Sequence, residues 1–268
     1  MVLDDSRLAG GAESIVAPTP PSVVWHDIEC GAYRADLPLW HELAEQSGGS
    51  VLDIGAGSGR VTLELARSRH TVTALDRELQ LLEALRDRAG SLDVRTVCAD
   101  ACSFSLKQSD YDLCILPMQT IQLLGGAARR AELLRCAKTH LRRGGVLACA
   151  ILGKVEPFDC SAGGNGPAAE RAKVDGLLYL SRAVRVSETP TTVVIERERR
   201  ILGDDTLEDG RATSTNDDRP ERNIVELDRI TAKRLQQEGE AVGLDVAPAR
   251  EIAATDEHVA SSVVIFRA

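Results

Sequence analysis

The sequence predicts an α/β fold built on a mostly parallel sheet, and three observations point there. Short apolar runs alternate with stretches of helical spacing between residues 50 and 152. A cluster of glycines stands where the first run gives way to the first helix. Aromatic residues make up only 3% of the chain, which leaves the apolar volume to Leu, Val, Ile and Ala. Regular β-α alternation of this kind buries a parallel sheet under helices on both faces, with right-handed crossovers.

Residues 1 to 22 are rich in Gly, Ala, Pro and Ser, lack apolar periodicity and read as a flexible lead-in. From Tyr33 to Gln46, Leu37, Trp40, Leu43 and Ala44 recur at helical spacing until Gly48 and Gly49 stop the pattern. The strand-like runs that follow are Ser50 to Ile54, Thr71 to Leu75, Val94 to Ala99, Leu113 to Leu116 and Val146 to Leu152. Between them, helical spacing covers Val61 to Ser68, Glu78 to Ala89 and Ala128 to Leu141, the last closed by Gly144 and Gly145.

Beyond Gly153 the period changes from helical to two. A Gly-rich loop at Ser161 to Gly166 precedes two alternating runs, Leu178 to Val186 and Thr192 to Leu202, which predict an antiparallel hairpin. The polar tract Gly203 to Pro220 reads as a loop, Asn223 to Leu227 as a further strand. Helical spacing returns at Ile230 to Ala241, with strands expected at Leu244 to Pro248 and Ser261 to Phe266. Four segments result: the lead-in at 1–22, a core at 23–153, an antiparallel insertion at 154–228 and a closing segment at 229–268.

Composition narrows the function. A chain of 268 residues accommodates one α/β domain with a large insertion. Its net charge of -9 and pI near 5.2 argue against a nucleic-acid partner, because phosphate backbones attract basic surfaces. No run approaches the ~20 apolar residues of a membrane span, and the acidic start at Asp4 and Asp5 does not resemble a secretory signal. The 7 cysteines are scattered singly, as expected of reduced thiols in the cytoplasm. No Cys, His or acidic cluster has metal-ligand spacing, so no metal is expected.

The most informative segment is Val51 to Arg60, VLDIGAGSGR, a buried strand running through glycines into a helix. Gly55, Gly57 and Gly59 allow the backbone to turn and to approach a ligand closely. A dinucleotide fingerprint requires G-x-G-x-x-G, but Arg60 occupies the third-glycine position, which disfavours a nicotinamide-dependent oxidoreductase. Asp53 would repel a pyrophosphate and attract a cationic ligand. Asp76 ends the next strand, where α/β folds hydrogen-bond a ribose diol, and Asp100 ends the one after, where a carboxylate can accept from an adenine amino group. Each acid alone is an ordinary loop residue, but three at successive strand C-termini mark the edge where open α/β sheets bind ligands.

Val51 to Arg60, Asp76, Asp100-Ala101, the stretch Leu116 to Thr120 (LPMQT) and Leu141 to Gly145 (LRRGG) resemble the successive motifs of class I, Rossmann-like S-adenosylmethionine-dependent methyltransferases. The tail from Ile230 resembles that family's last helix and strand pair. The resemblance implies a seven-stranded sheet of order 3-2-1-4-5-7-6 with strand 7 antiparallel. It also implies S-adenosylmethionine as cofactor and S-adenosylhomocysteine as product. Asp53, Gly55, Ala56, Gly57 and Gly59 would surround the methionine moiety. Asp76 would hold the ribose hydroxyls, Asp100 and Ala101 the adenine, and Pro117 and Met118 would lie beside the sulfonium. Tyr33 corresponds to an aromatic before the first motif that can reach the cofactor carboxylate. The family's N-P-P-[YF] signature of amino methylation on nucleic-acid bases or protein glutamine is replaced by Leu116-Pro-Met-Gln119, which favours a small-molecule acceptor.

Methyl transfer is an in-line displacement that proximity and desolvation can drive without an essential acid or base. The acceptor atom is expected to be N or O, with C as a variant. Segment 154–228 and residues Trp25 to Tyr33 are expected to cover the site as a lid. His26 is the candidate proton acceptor, and Gln119 can orient an acceptor through its amide. Arg197 and Arg199 either form cross-strand ion pairs on a solvated face or grip an acceptor carboxylate. The alternative function is a protein that binds S-adenosylmethionine for another purpose, as a lyase or cyclase or as a regulatory or scaffold subunit. A monomer or a homodimer is expected.

Overall fold

Numbered in chain order, β1 (Val51–Ile54), β2 (Val72–Asp76), β3 (Val94–Cys98), β4 (Tyr111–Leu116) and β5 (Leu141–Leu152) run parallel in one sheet. β12 (Ser261–Arg267) pairs antiparallel with β5, and β11 (Asp245–Ile252) antiparallel with β12. The computed structural model that gives this arrangement describes residues 18–164, 166–203, 220–255 and 258–268. The seven-stranded order is β3-β2-β1-β4-β5-β12-β11. This is the expected 3-2-1-4-5-7-6 sheet, because β12 is the core's seventh strand and β11 its sixth. The direction of strand succession reverses between β1 and β4, the switch point at which a crevice opens beyond the strand C-termini.

Strand period 2 divides the core. Val51, Val72 and Leu113 face α2 (Leu37–Ser47) and α3 (Arg60–Arg67), where Trp40, Leu43, Val61 and Leu65 cover them. Ala74 of β2 packs with Leu82 and Leu85 of α4 (Leu79–Ala89). Leu52, Ile54, Leu116 and Leu147 point the other way, against Leu133, Leu134 and Ala137 of α5 (Ala127–His140) and Leu235 of α6 (Ala232–Ala241). Both faces of the central strands are therefore dry, as near-continuous apolar strands require.

Several boundaries differ from the sequence reading. The lead-in to residue 22 ends early, because Pro21 opens α1 (Pro21–Cys30), where its fixed φ and missing N–H suit a first helical turn; residues 1–17 lie outside those described. The helix expected from Tyr33 begins at Leu37. α5 ends at His140 rather than at the glycines. Residues 144 and 145 instead lie within β5 and exchange backbone hydrogen bonds with Ala268.

The insertion is a five-stranded antiparallel sheet of β6 (Phe158–Asp159), β7 (Glu170–Val174), β8 (Leu177–Glu188), β9 (Thr192–Leu202) and β10 (Glu221–Asp228). β8 and β9 are the expected hairpin and β10 the expected further strand. Of the polar tract between β9 and β10, residues 204–219 lie outside those described, as does residue 165 of the Gly-rich loop. β7 was not anticipated, although its signal is present: Asp175-Gly176, both at positive φ (51° and 77°), form the two-residue turn that joins β7 to β8. α1 packs on this sheet, with the Trp25 and Tyr179 rings 5.0 Å apart and edge-on.

One buried amide joins the two ends of the insertion. Gln122, in a 3-10 helix at Thr120–Leu124, accepts from Leu152 N at 2.6 Å through Oε1 and donates through Nε2 to Asp228 O at 2.9 Å. Asp228 also accepts from Gly126 N and pairs with Arg130, whose guanidinium makes two further bonds to Glu238 of α6. Gln122→Met would orphan a buried N–H and a buried C=O and is expected to lower stability by about 1–3 kcal/mol. Urea titration measures this, and an unchanged midpoint would refute the staple.

Candidate functional site

The turn from β1 into α3 forms the floor of the site. Gly55 and Ala56 donate their N–H groups to Leu75 O at 2.7 and 3.1 Å, tying the turn to the end of β2. Gly57 N donates to Asp76 Oδ2 at 2.8 Å, while Glu78 N donates to Oδ1 at 2.9 Å, so two backbone amides fix the Asp76 carboxylate and leave it lone pairs. Gly55 and Gly57 have φ of 77° and 55°. A Cβ on Gly55 would collide with Thr120, and one on Gly57 with the His26 ring. Only glycine fits either position.

Above this floor is a cavity of about 470 Å³. Asp53, Gly55, Ala56 and Asp76 line it from β1 and β2. Asp100 and Ala101 line it beyond β3, with Ala99, Leu81 and Leu124 forming apolar walls at that end. Pro117, Met118 and Gln119 line it beyond β4, and His26 from α1. Met118 takes φ 55°, a strained conformation for a non-glycine residue, in the chain turn at the cavity wall.

The acids differ in state. Period 2 turns Asp53 toward α3, where Thr62 Oγ1 donates to its Oδ2 at 2.7 Å; its Oδ1 is buried and has no hydrogen-bond partner. Burial pushes the Asp53 carboxyl up to about 7, against the lowering effects of the Thr62 hydrogen bond and of Arg60. A carboxyl that lines a cavity with one oxygen buried and unpartnered leaves hydrogen-bonding capacity unmet, which is costly away from water. Asp100 is half-exposed and already engaged. It accepts from Cys102 N at 2.8 Å and from Arg129 at 2.7 and 3.0 Å, which hold its carboxyl below the usual value.

Of the other expected site residues, His26 lines the cavity, whereas Gly57, Gly59, Tyr33, Arg197 and Arg199 lie apart from its lining. Gly59 caps α3 under Leu85. Tyr33 packs against the His258 ring with its hydroxyl 3.5 Å from Ser261 Oγ. Arg199 makes two 2.8 Å bonds to Glu29 of α1, and Arg197 pairs with Glu170 of β7 at 2.7 Å. His26 rests on Gly57, with Nδ1 3.0 Å from Ser58 Oγ.

Sequence reasoning missed Thr120, Cys30 and Arg129, which also line the cavity. Thr120 was within reach, as the next residue of the LPMQT stretch. Arg60 explains its own place at the third-glycine position: it donates to Asp36 at 2.6 and 2.7 Å and to Tyr33 O at 2.7 Å, bracing the segment before α2. Among the described residues no group of three or more His, Cys, Asp or Glu side chains could hold a metal ion, and no helix is long and apolar enough to cross a membrane.

Residues 51–145 match the family of the methyltransferase domain. The sugar N-methyltransferase KedS8 from Streptoalloteichus sp superposes with a TM-score of 0.65 at 15% identity, over 100% of this chain and 99% of that one. CalS10, an amino pentose methyltransferase from Micromonospora echinaspora solved with S-adenosylmethionine bound, gives 0.63 at 18% identity over 91% and 96%. The methyltransferase CcbJ from Streptomyces caelestis gives 0.62 at 17% identity over 88% and 90%. At these identities the likeness is one of fold. No curated protein sequence matches the chain.

The raised Asp53 value fixes a pH dependence. A buried carboxyl that holds its proton more tightly folded than unfolded contributes stability fully present below the unfolded value, lost as pH rises toward about 7. Asp53→Asn should remove that loss, so the ligand-free variant melts higher than the parent at pH 8. It should also bind S-adenosylhomocysteine about tenfold or more weakly, since a charged partner is gone. Calorimetry at pH 6 and 8 checks both, and parental affinity in the variant would rule out a cation at this oxygen.

Proposed function

We propose that this chain, whose residues 51–145 match the family of the methyltransferase domain and whose fold is of the class I kind, transfers a methyl group from S-adenosylmethionine to a nitrogen or oxygen atom of a small molecule and releases S-adenosylhomocysteine. The observation that carries the cofactor half is the buried, unpaired Asp53 Oδ1 beside a glycine floor that tolerates no side chain. The acceptor half draws support from the LPMQT stretch in place of an N-P-P-[YF] signature. The sugar N- and amino pentose methyltransferases of like fold favour nitrogen on a sugar-sized acceptor. Free thiols at all seven cysteines support a reducing compartment such as the cytoplasm.

Bound here, the cofactor supplies an electrophilic methyl group. Asp53 would hold its ammonium, the backbone at 55–57 its methionine portion, Asp76 its ribose, and Asp100 with Ala101 its adenine. Asp100, held ionised by Arg129 and Cys102 N, is left as a hydrogen-bond acceptor. Pro117 and Met118, which line the cavity, would shield the methyl from water, and Gln119 beside them would orient the acceptor through its amide. Proximity and exclusion of water then provide most of the rate enhancement. The insertion at 154–228 and α1 act as the substrate lid, with Arg197 and Arg199 held in ion pairs that brace it.

Incubation with methyl-labelled S-adenosylmethionine and a panel of amino sugars, amines and phenols is expected to give labelled product with equimolar S-adenosylhomocysteine. Tight binding without turnover on any acceptor would instead favour a non-methylating role. Gln119→Ala is expected to raise the acceptor KM several-fold with S-adenosylhomocysteine affinity unchanged, as loss of one neutral hydrogen bond predicts. An unchanged acceptor KM would remove Gln119 from the acceptor site.

A further inference from the structure

His26 and the residues behind it form a hydrogen-bonded chain whose direction is fixed by chemistry. Arg88 of α4 donates to both oxygens of Asp27, at 3.0 and 2.5 Å. Burial would raise the Asp27 carboxyl, but the hydrogen bonds from Arg88 and Ser58, with the His26 ring 4.0 Å away, outweigh it and hold the group ionised. An ionised carboxylate can only accept, so Ser58 Oγ spends its one hydrogen on Asp27 Oδ1, 2.5 Å away. The Ser58 oxygen can then only accept from His26 Nδ1, 3.0 Å away. In the neutral ring the proton therefore sits on Nδ1, and Nε2 presents a bare lone pair.

The ring lies on Gly57, and the Gly57 N–H is held by Asp76, which lines the same cavity. Thr120, which continues the Pro117 to Gln119 wall, instead presses on Gly55. His26 and Thr120 thus press on different residues of the floor, and His26 presses on the one whose N–H Asp76 holds. A bare imidazole nitrogen and a carboxylate sharing one end of a cavity are two acceptors, suited to the two donors of a vicinal diol. We propose that His26 Nε2 accepts a hydrogen bond from a ribose hydroxyl of the nucleoside beside Asp76, with Ser58, Asp27 and Arg88 as positioning residues that set the ring's tautomer. This rests on the cofactor reading above and gives His26 a binding role in place of removing the acceptor's proton.

Calorimetry with S-adenosylhomocysteine and its 2′-deoxy and 3′-deoxy analogues tests it. The parent protein should bind each analogue about tenfold more weakly than the full nucleoside, one having lost the hydroxyl held by Asp76 and the other the hydroxyl held by His26. His26→Ala should bind S-adenosylhomocysteine about tenfold more weakly, lose the discrimination against one analogue and keep that against the other. Ser58→Ala should blunt the discrimination that His26→Ala loses, while Ser58→Thr, which keeps the hydroxyl, should retain it. A His26→Ala variant that keeps parental affinity and discrimination overturns the proposal, as does one that keeps both while kcat collapses. A parent protein that binds all three ligands equally overturns it too. A parent protein that binds none of them fails the cofactor reading instead.

Discussion

The turn between β1 and α3 is crowded from three sides, and the rest of the site is arranged around that crowding. Thr120 presses on Gly55, His26 on Gly57 and Leu85 on Gly59. Each contact comes from a different element: the 3-10 helix after β4, α1 before the sheet, and α4 after β2. A Cβ at any of these positions would meet one of those side chains at under 3 Å, so the absence of side chains lets three distant parts of the chain pack against the strand ends. Close packing makes this a discrete fit rather than an adjustable one.

Electrostatics then separates groups that composition alone cannot distinguish. Asp53, Asp76 and Asp100 stand at comparable strand ends, yet one is buried with an empty oxygen, one is fixed by backbone amides and one is bound to an arginine. Low dielectric makes the first costly to leave unpaired, whereas the last, half in water, gains little from its partner. The unmet electrostatic demand is thus concentrated at Asp53, whereas the carboxylates of Asp76 and Asp100 are already held in orientation by their partners.

The insertion is held at both ends and across its face. Gln122 joins Leu152 to Asp228 where the chain leaves and re-enters the core, and the Arg130 cluster ties that junction to α6. Across its face, α1 contributes Glu29 to Arg199 and Ser181, and Trp25 to Tyr179, while its His26 and Asp27 reach the glycine turn and α4. A single ten-residue helix therefore contacts both the cofactor floor and the inserted sheet.

The sequence by itself determined the sheet and its ligand edge, because both follow from local rules. Alternating periods specify strands and helices, the handedness of crossovers specifies their order, and glycines with terminal acids mark the strand ends from which a ligand is reached. That Asp53, Asp76, Asp100 and the stretch from Pro117 to Gln119 line one crevice was legible for that reason. Only the tertiary structure decided which acid is left unpaired, that Arg60 belongs to Asp36, that Arg197 and Arg199 are bound in ion pairs, and that His26 lies over Gly57. These depend on contacts between residues 24 to 170 positions apart, set by how helices and an inserted sheet pack, and no local pattern of residues encodes such distances.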